Sequence, residues 1–177
     1  MTLPPPDRYS PLLRALHWAM ALLMLLALAS GFAMLAVEAG ALQNRLFDLH
    51  RSFGVSVLAL LPIRLLARFL QPQPGTPPGL SPLQRKAAHS VHHLLYGLFL
   101  VQPVTGLIGS QAFGAPVIVY GLFRMPSLVD KNEALAKVFL SLHGLAVWLI
   151  LALITAHIGA ALHHQFIRRD GLIRRML

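Results

Sequence analysis

Residues 137–164 read KVFLSLHGLAVWLILALITAHIGAALHH, an apolar run long enough to cross a bilayer, with two histidines, His143 and His157, set within it. Their separation of fourteen residues is, on an α-helix, a rise of about 21 Å and a rotation of roughly 1400°, about 40° short of four full turns. Both imidazoles therefore leave one face of a rod, near its opposite ends. The intervening GLAVWLILALITA has no charge and no strong polar group, so nothing else there competes for a polar role. An ionisable side chain inside a membrane helix is costly and turns toward a partner in the bundle interior. Two on one stripe call for a common reason.

The rest of the chain supports the membrane reading. Of 177 residues, 56% are hydrophobic and 12% charged, against roughly a quarter charged in ordinary soluble domains; mean hydropathy is +0.64. Four runs match a hydrocarbon core of about 30 Å, at about 15–37, 49–70, 87–110 and 138–163. The expectation is an all-α, integral membrane four-helix bundle forming one domain over residues 1–177. The first run is too long, and lacks the short polar region, to be a cleavable signal peptide.

Formal net charge is +9, and its distribution gives its meaning. Arg8, Arg14, Arg64, Arg68, Arg85, Lys86, Arg168, Arg169, Arg174 and Arg175 share the side of the two termini. Arg45, Arg51, Arg124, Lys131 and Lys137 lie opposite, diluted by Glu38, Asp48, Asp130 and Glu133. The positive-inside rule places both termini in the cytoplasm. The basic excess is then topological, and nucleic acid is set aside as a partner in favour of the lipid bilayer. Cysteine is absent, which excludes disulfides, iron–sulfur clusters and covalently attached haem.

The Pro-rich lead MTLPPPDRYSP is too polar and proline-rich to enter the bilayer as helix. Arg14 marks the cytoplasmic edge, with His17 one turn deeper and Trp18 at the depth of an aromatic belt. Read alone, His17 fits an interfacial histidine better than a ligand. The loop VEAGALQNRLFD leads to a second span opening with His50 and Arg51. Arg64 shares the face of His50 toward the cytoplasm, Arg68 follows one turn later, and Pro62 predicts a kink. Arg64 suits carboxylates such as haem propionates, or snorkelling to the interface, about equally; Arg68 reads as snorkelling. The loop QPQPGTPPGLSPLQRK predicts no regular structure, and no internal repeat is strong enough to use. His89, His92 and His93 form one patch at i, i+3, i+4 spacing, at least two of them wet interfacial residues. The outer loop 111–137 mixes apolar and charged residues along the outer face. The basic tail RRDGLIRRML reads as a membrane-surface anchor.

Sorting the nine histidines by depth pairs them. On the outer side only His50 and His143 are available. Toward the cytoplasm His157 shares the face of His143, and His17 lies at compatible depth on another helix; His89, His92 and His93 remain competitors for the place of His17. Two depth-matched imidazole pairs fit axial ligation of two haems b, held without covalent links. A bis-histidine haem has no open position and carries single electrons. Gly54, Ser56, Gly144 and Gly159 are small enough for close approach of helices or macrocycles.

With RALHW in the first span, LHRSFGVSVLALLPIRLLAR in the second, AHSVHHLLY in the third, and SLHGL and AHIGAALHHQF in the fourth, the chain resembles the prokaryotic cytochrome b-561 family over nearly its whole length. The resemblance implies two haems b, the cytoplasmic one on His17 and His157 and the outer one on His50 and His143. It further implies, as in some members, oxidation of superoxide at the outer face and reduction of ubiquinone near the cytoplasmic face of a bacterial inner (plasma) membrane. Arg51, beside an outer ligand, is the residue expected to draw superoxide, with Arg45, Arg124, Lys131 and Lys137 contributing to the field. His164, with Trp18 and Arg85 or Lys86, is the expected quinone site, although the basic residues of the second loop arrive only at its end. The alternative is a cytochrome b relay or anchor subunit for a partner dehydrogenase or hydrogenase. A histidine-lined transporter is disfavoured because the spans lack the intramembrane carboxylates such pathways use.

Overall fold

The computed structural model describes residues 7–75 and 79–177. Residues 1–6 of the Pro-rich lead and 76–78 of the second loop lie outside them. Four long helices follow one another: α1 (Pro11–Ala36), α2 (Ala41–Leu70), α3 (Pro82–Phe113) and α4 (Glu133–His163). All four are long and apolar enough to cross a membrane, and the chain is a four-helix membrane bundle. Large apolar side chains such as Leu66, Leu145 and Trp148 face outward, as a lipid solvent requires.

Side-chain caps start α1, α3 and α4. Ser10 accepts from the Leu13 N–H and Pro11 opens α1; Ser81 and Gln84 form a reciprocal capping box before α3, again with proline first. Asn132 accepts from the Leu135 N–H ahead of α4, with Glu133 in the first turn. Such caps satisfy backbone N–H groups that have no helical partner. Helices α2, α3 and α4 begin several residues before the expected spans. Hydropathy registers only the stretch in hydrocarbon, whereas polar turns such as Leu42–Asp48 continue the helix beyond it. The expected loop 37–48 is correspondingly reduced to the few residues between Ala36 and Ala41. Pro62 lies within α2 without ending it.

α1 packs along α2 and α3 along α4, while the α2–α3 contact joins the two pairs. Met20, Met24, Val57, Leu61 and Ile150 form the central core, with Leu13, Leu16 and Ala67 toward the end where the termini meet. Between α3 and α4 the outer loop is ordered: Ile118–Val119 pairs antiparallel with Phe123–Arg124. Within the three-residue loop 120–122, Tyr120 and Gly121, both at positive φ, are the central residues of a turn closed by the Leu122 N–H on the Val119 carbonyl, a twist that suits a hairpin. The Tyr120 N–H donates to Ser52 Oγ at 2.8 Å and its hydroxyl lies 2.9 Å from Ser56 Oγ. Those bonds hold a non-glycine residue in a left-handed conformation and fix the hairpin on α2. Val117 and Val119 are buried beneath it with Leu107.

At the opposite end the basic tail is no free surface anchor. After α4 a π-helical turn (His164–Arg168) and a short 3-10 turn (Leu172–Arg175) fold the chain back. The Tyr9 N–H donates to the Arg175 carbonyl and Trp18 Nε1 to the Met176 carbonyl, at 3.1 and 2.8 Å. Arg168 and Arg175 donate to the carbonyls of Gly79 and Gly75. The tail thus ties α1, the second loop and α4 together.

Candidate functional site

The structure brings together the two histidines farther from the termini. His50 from α2 and His143 from α4 have ring centroids 5.8 Å apart. The His50 Nδ1–H donates to the Ala27 carbonyl of α1 at 2.8 Å, and the His143 Nδ1–H to the Gln102 carbonyl of α3 at 2.9 Å. A carbonyl only accepts, so the neutral rings carry their proton on Nδ1 and leave the Nε2 lone pair free. Imidazole nitrogen binds a first-row metal at about 2.0–2.1 Å. Two such bonds in line, plus the distance from each nitrogen to its ring centre, separate the centroids by about 6 Å.

Each ring sits in a depression on the neighbouring helix. A Cβ at Gly31 would fall 3.0 Å from His50 Cε1, and one at Gly106 would fall 2.9 Å from His143 Cε1. Gln102 holds His143 twice, because its side-chain Nε2 also donates to the His143 carbonyl at 3.0 Å. Thr105 Oγ1 donates to the Gln102 carbonyl at 2.9 Å and lies 3.5 Å from His143 Nδ1. On α1, the Ser30 hydroxyl lies 2.7 Å from the Leu26 carbonyl and 3.1 Å from that of Ala27. Both rings border an open apolar cleft lined also by Met24, Gly54, Val57, Gly144 and Ile150.

Nearer the termini, His17 of α1 and His157 of α4 have centroids 6.2 Å apart. His92 of α3 lies 5.3 Å from His157, so His157 has an imidazole on each of two neighbouring helices. His93 donates to the His89 carbonyl at 2.7 Å in an exposed position. Arg64 is buried: Nη1 donates to the Leu13 carbonyl at 3.1 Å and Nη2 is 3.3 Å from His17 Nδ1. It turns inward to the inner pair and does not snorkel. Arg68 is near Gln73 Oε1, at 3.4 Å.

Arg51 donates through Nε to Ser110 Oγ at 2.9 Å, and its Nη1 is 3.4 Å from Asp48 Oδ1. The guanidinium also lies 5.3 Å from the Phe47 ring centre. Its side chain is 19% exposed, so its charge meets solvent in part and is partly balanced. The polar ends of Trp18 and His164 are turned to the tail: Trp18 to Met176, and His164 Nδ1 to Asp170 Oδ2. Burial tends to raise the Asp170 carboxyl, but His164, the Leu172 N–H and Arg168 outweigh it and hold it below the ordinary carboxylate range.

Of the small residues expected to admit helices or macrocycles, Gly54 and Gly144 line the cleft, Gly144 and Gly159 face open space, and Ser56 is engaged with Ser52 and Tyr120. α3 also meets α4 closely at Gly109, against Leu140, and the close approaches to the histidine rings are at Gly31 and Gly106. Their available sequence signal is a hydroxyl residue followed by glycine, Ser30-Gly31 and Thr105-Gly106, on helices facing the histidines. Gln102 carried no such signal.

His50 and His143, half-buried between apolar membrane helices, oriented through Nδ1 and with Nε2 left free, define a membrane protein built to hold a metal-centred cofactor. Residues 8–177 match the family described as prokaryotic cytochrome b561. The chain is 33% identical over 173 residues to cytochrome b561 homolog 2 of Escherichia coli strain K12, covering 97% of this chain and 92% of the relative. It is 30% identical over 174 residues to a probable superoxide oxidase, CybB, of Yersinia pestis, covering 96% of each. It is also 31% identical over 179 residues to cytochrome b562 of Cereibacter sphaeroides, covering 96% of this chain and 94% of the relative. The protein belongs to the prokaryotic cytochrome b561 family. It is a multi-pass membrane protein of electron transfer, and the family's cofactor is haem b.

Proposed function

We propose that the protein is a di-haem superoxide:ubiquinone oxidoreductase of the bacterial inner membrane, with both termini in the cytoplasm. The observation that carries this reading is the pair of histidine sets at two depths, His50 with His143 and His17 with His157, each spaced for one metal-centred ring. Bound there, haem b supplies one-electron transfer without an open coordination position. His50 and His143 would hold the outer group through Nε2, with the carbonyls of Ala27 and Gln102 orienting the rings. His17 and His157 would hold the inner one beside the buried Arg64, whose charge suits a propionate.

The chemistry balances over two turnovers. Two superoxide anions each lose one electron and leave as dioxygen; one ubiquinone takes up both electrons and two protons to give ubiquinol. Arg51 raises the local concentration of the small anion at the outer face. Trp18 and His164 contribute the quinone site at the inner end, where the tail and second loop meet. The CybB relative supports superoxide as the donor.

The test is stopped-flow spectroscopy of the purified protein. Rapid haem reduction by superoxide and reoxidation by ubiquinone supports the reading. Haems indifferent to superoxide, in a protein that copurifies with a dehydrogenase or hydrogenase, would move the assignment to an electron-relay subunit.

A further inference from the structure

The outer histidines are held by two sockets of one design. On α1 it is Ala27, Ser30 and Gly31; on α3 it is Gln102, Thr105 and Gly106. In each, the first residue's carbonyl accepts the imidazole Nδ1–H, a hydroxyl three residues on approaches that carbonyl, and a glycine one further on makes room for the ring. The repeat is local, spread over three positions in each helix, and cannot be seen until the partner histidines are placed.

The sockets differ in where the hydroxyl proton goes. Ser30 lies nearer the Leu26 carbonyl, at 2.7 Å, than that of Ala27, at 3.1 Å, so beside the helical N–H that each of these carbonyls takes it adds little further load to the one serving His50. Thr105 donates to the carbonyl that serves His143, at 2.9 Å, the same distance as the imidazole's own bond. Two donors on one oxygen each take a smaller share of its electron density than either would alone. An Nδ1–H bond to a strong acceptor makes a ligating imidazole more basic, and a more basic axial ligand favours the oxidised metal.

We propose that Thr105 is a positioning residue that raises the reduction potential of the outer haem, by sharing the Gln102 carbonyl and weakening the hold of that carbonyl on the His143 proton. The proposal rests on the assignment of His143 as an outer-haem ligand. Ser30 has the same role in weaker form toward His50.

The experiment is a potentiometric titration of the purified holoprotein, with low-temperature EPR and a haem count, on Thr105→Ser, Thr105→Ala, Thr105→Val and Ser30→Ala. Thr105→Ser is expected to keep the wild-type potential and g-values. Thr105→Ala and Thr105→Val are expected to lower the outer potential and shift its g-values while the inner haem is unmoved, and Ser30→Ala to produce a smaller change in the same direction. Wild-type potentials in the Ala and Val variants with the outer haem bound would overturn the tuning and leave the ligand assignment standing. So would a Ser variant shifted as far as Val. A His143→Ala protein that keeps its full outer haem would overturn both.

Discussion

Replacing Gly106 with alanine should unseat the outer histidine selectively. The added Cβ would stand 2.9 Å from His143 Cε1 and 3.0 Å from Nδ1, whereas carbon atoms rest at about 3.5–4.0 Å. Because the methyl is fixed to the backbone of α3, the imidazole must retreat by roughly 0.6–1.1 Å. That stretches the 2.9 Å bond to the Gln102 carbonyl past about 3.5 Å, where it ceases to orient the ring. Losing such an outer-shell contact typically costs about 10–100-fold in metal affinity, or about 1.4–2.8 kcal/mol. The assay is haem titration of the apoprotein, followed by difference spectra at controlled potential. Gly106→Ala should bind the outer haem that much more weakly and keep the inner one. Gly97→Ala, on the same helix with nothing within 4 Å, should bind both normally. Equal outer-haem affinity in Gly106→Ala and wild type would refute the reasoning.

Other consequences follow from the two ends of the bundle. Arg51→Glu should slow reduction by superoxide and lessen the salt dependence of its rate, because the side chain replaced is partly exposed and Asp48 is left beside a second carboxylate; an unchanged rate over a range of ionic strength would argue against steering there. Trp18→Phe removes the donor to the Met176 carbonyl, a loss of about 0.5–1.5 kcal/mol, and should speed deuterium uptake of the tail relative to α4. Asp170, held below its ordinary range, favours the docked tail above its undocked pKa and loses that contribution as pH falls through the docked one. Tail protection in hydrogen exchange, corrected for intrinsic rates, should therefore fall as pH drops below about 4, and Asp170→Asn should remove that pH dependence.

How far the fold was legible depended on which forces act within one segment. Apolar length marked all four crossings, because the bilayer imposes it on each helix separately. The spacing of His143 and His157 set two depths, because helical pitch is a local property. The sockets were not legible, since Gly31 and Gly106 matter only through rings contributed by other helices. Choosing Gly54, Ser56, Gly144 and Gly159 favoured small residues on the histidines' own helices. The tail was read from charge alone, yet the carbonyls of Gly75 and Gly79 and the indole of Trp18 tie it to the bundle. Depth alone left three histidines competing with His17; the packing brings only His92 of those close to His157, a matter of helix rotation.

The central claim is that four named histidines hold two haems. Its most direct test is a haem count on the purified wild type beside His17→Ala, His50→Ala, His143→Ala and His157→Ala, with EPR to identify which low-spin centre survives. The account predicts two haems b in the wild type, loss of the same outer centre in His50→Ala and His143→Ala, and loss of the inner one in His17→Ala and His157→Ala. A single haem in the wild type, or an inner centre that survives His17→Ala and vanishes in His92→Ala, would contradict it.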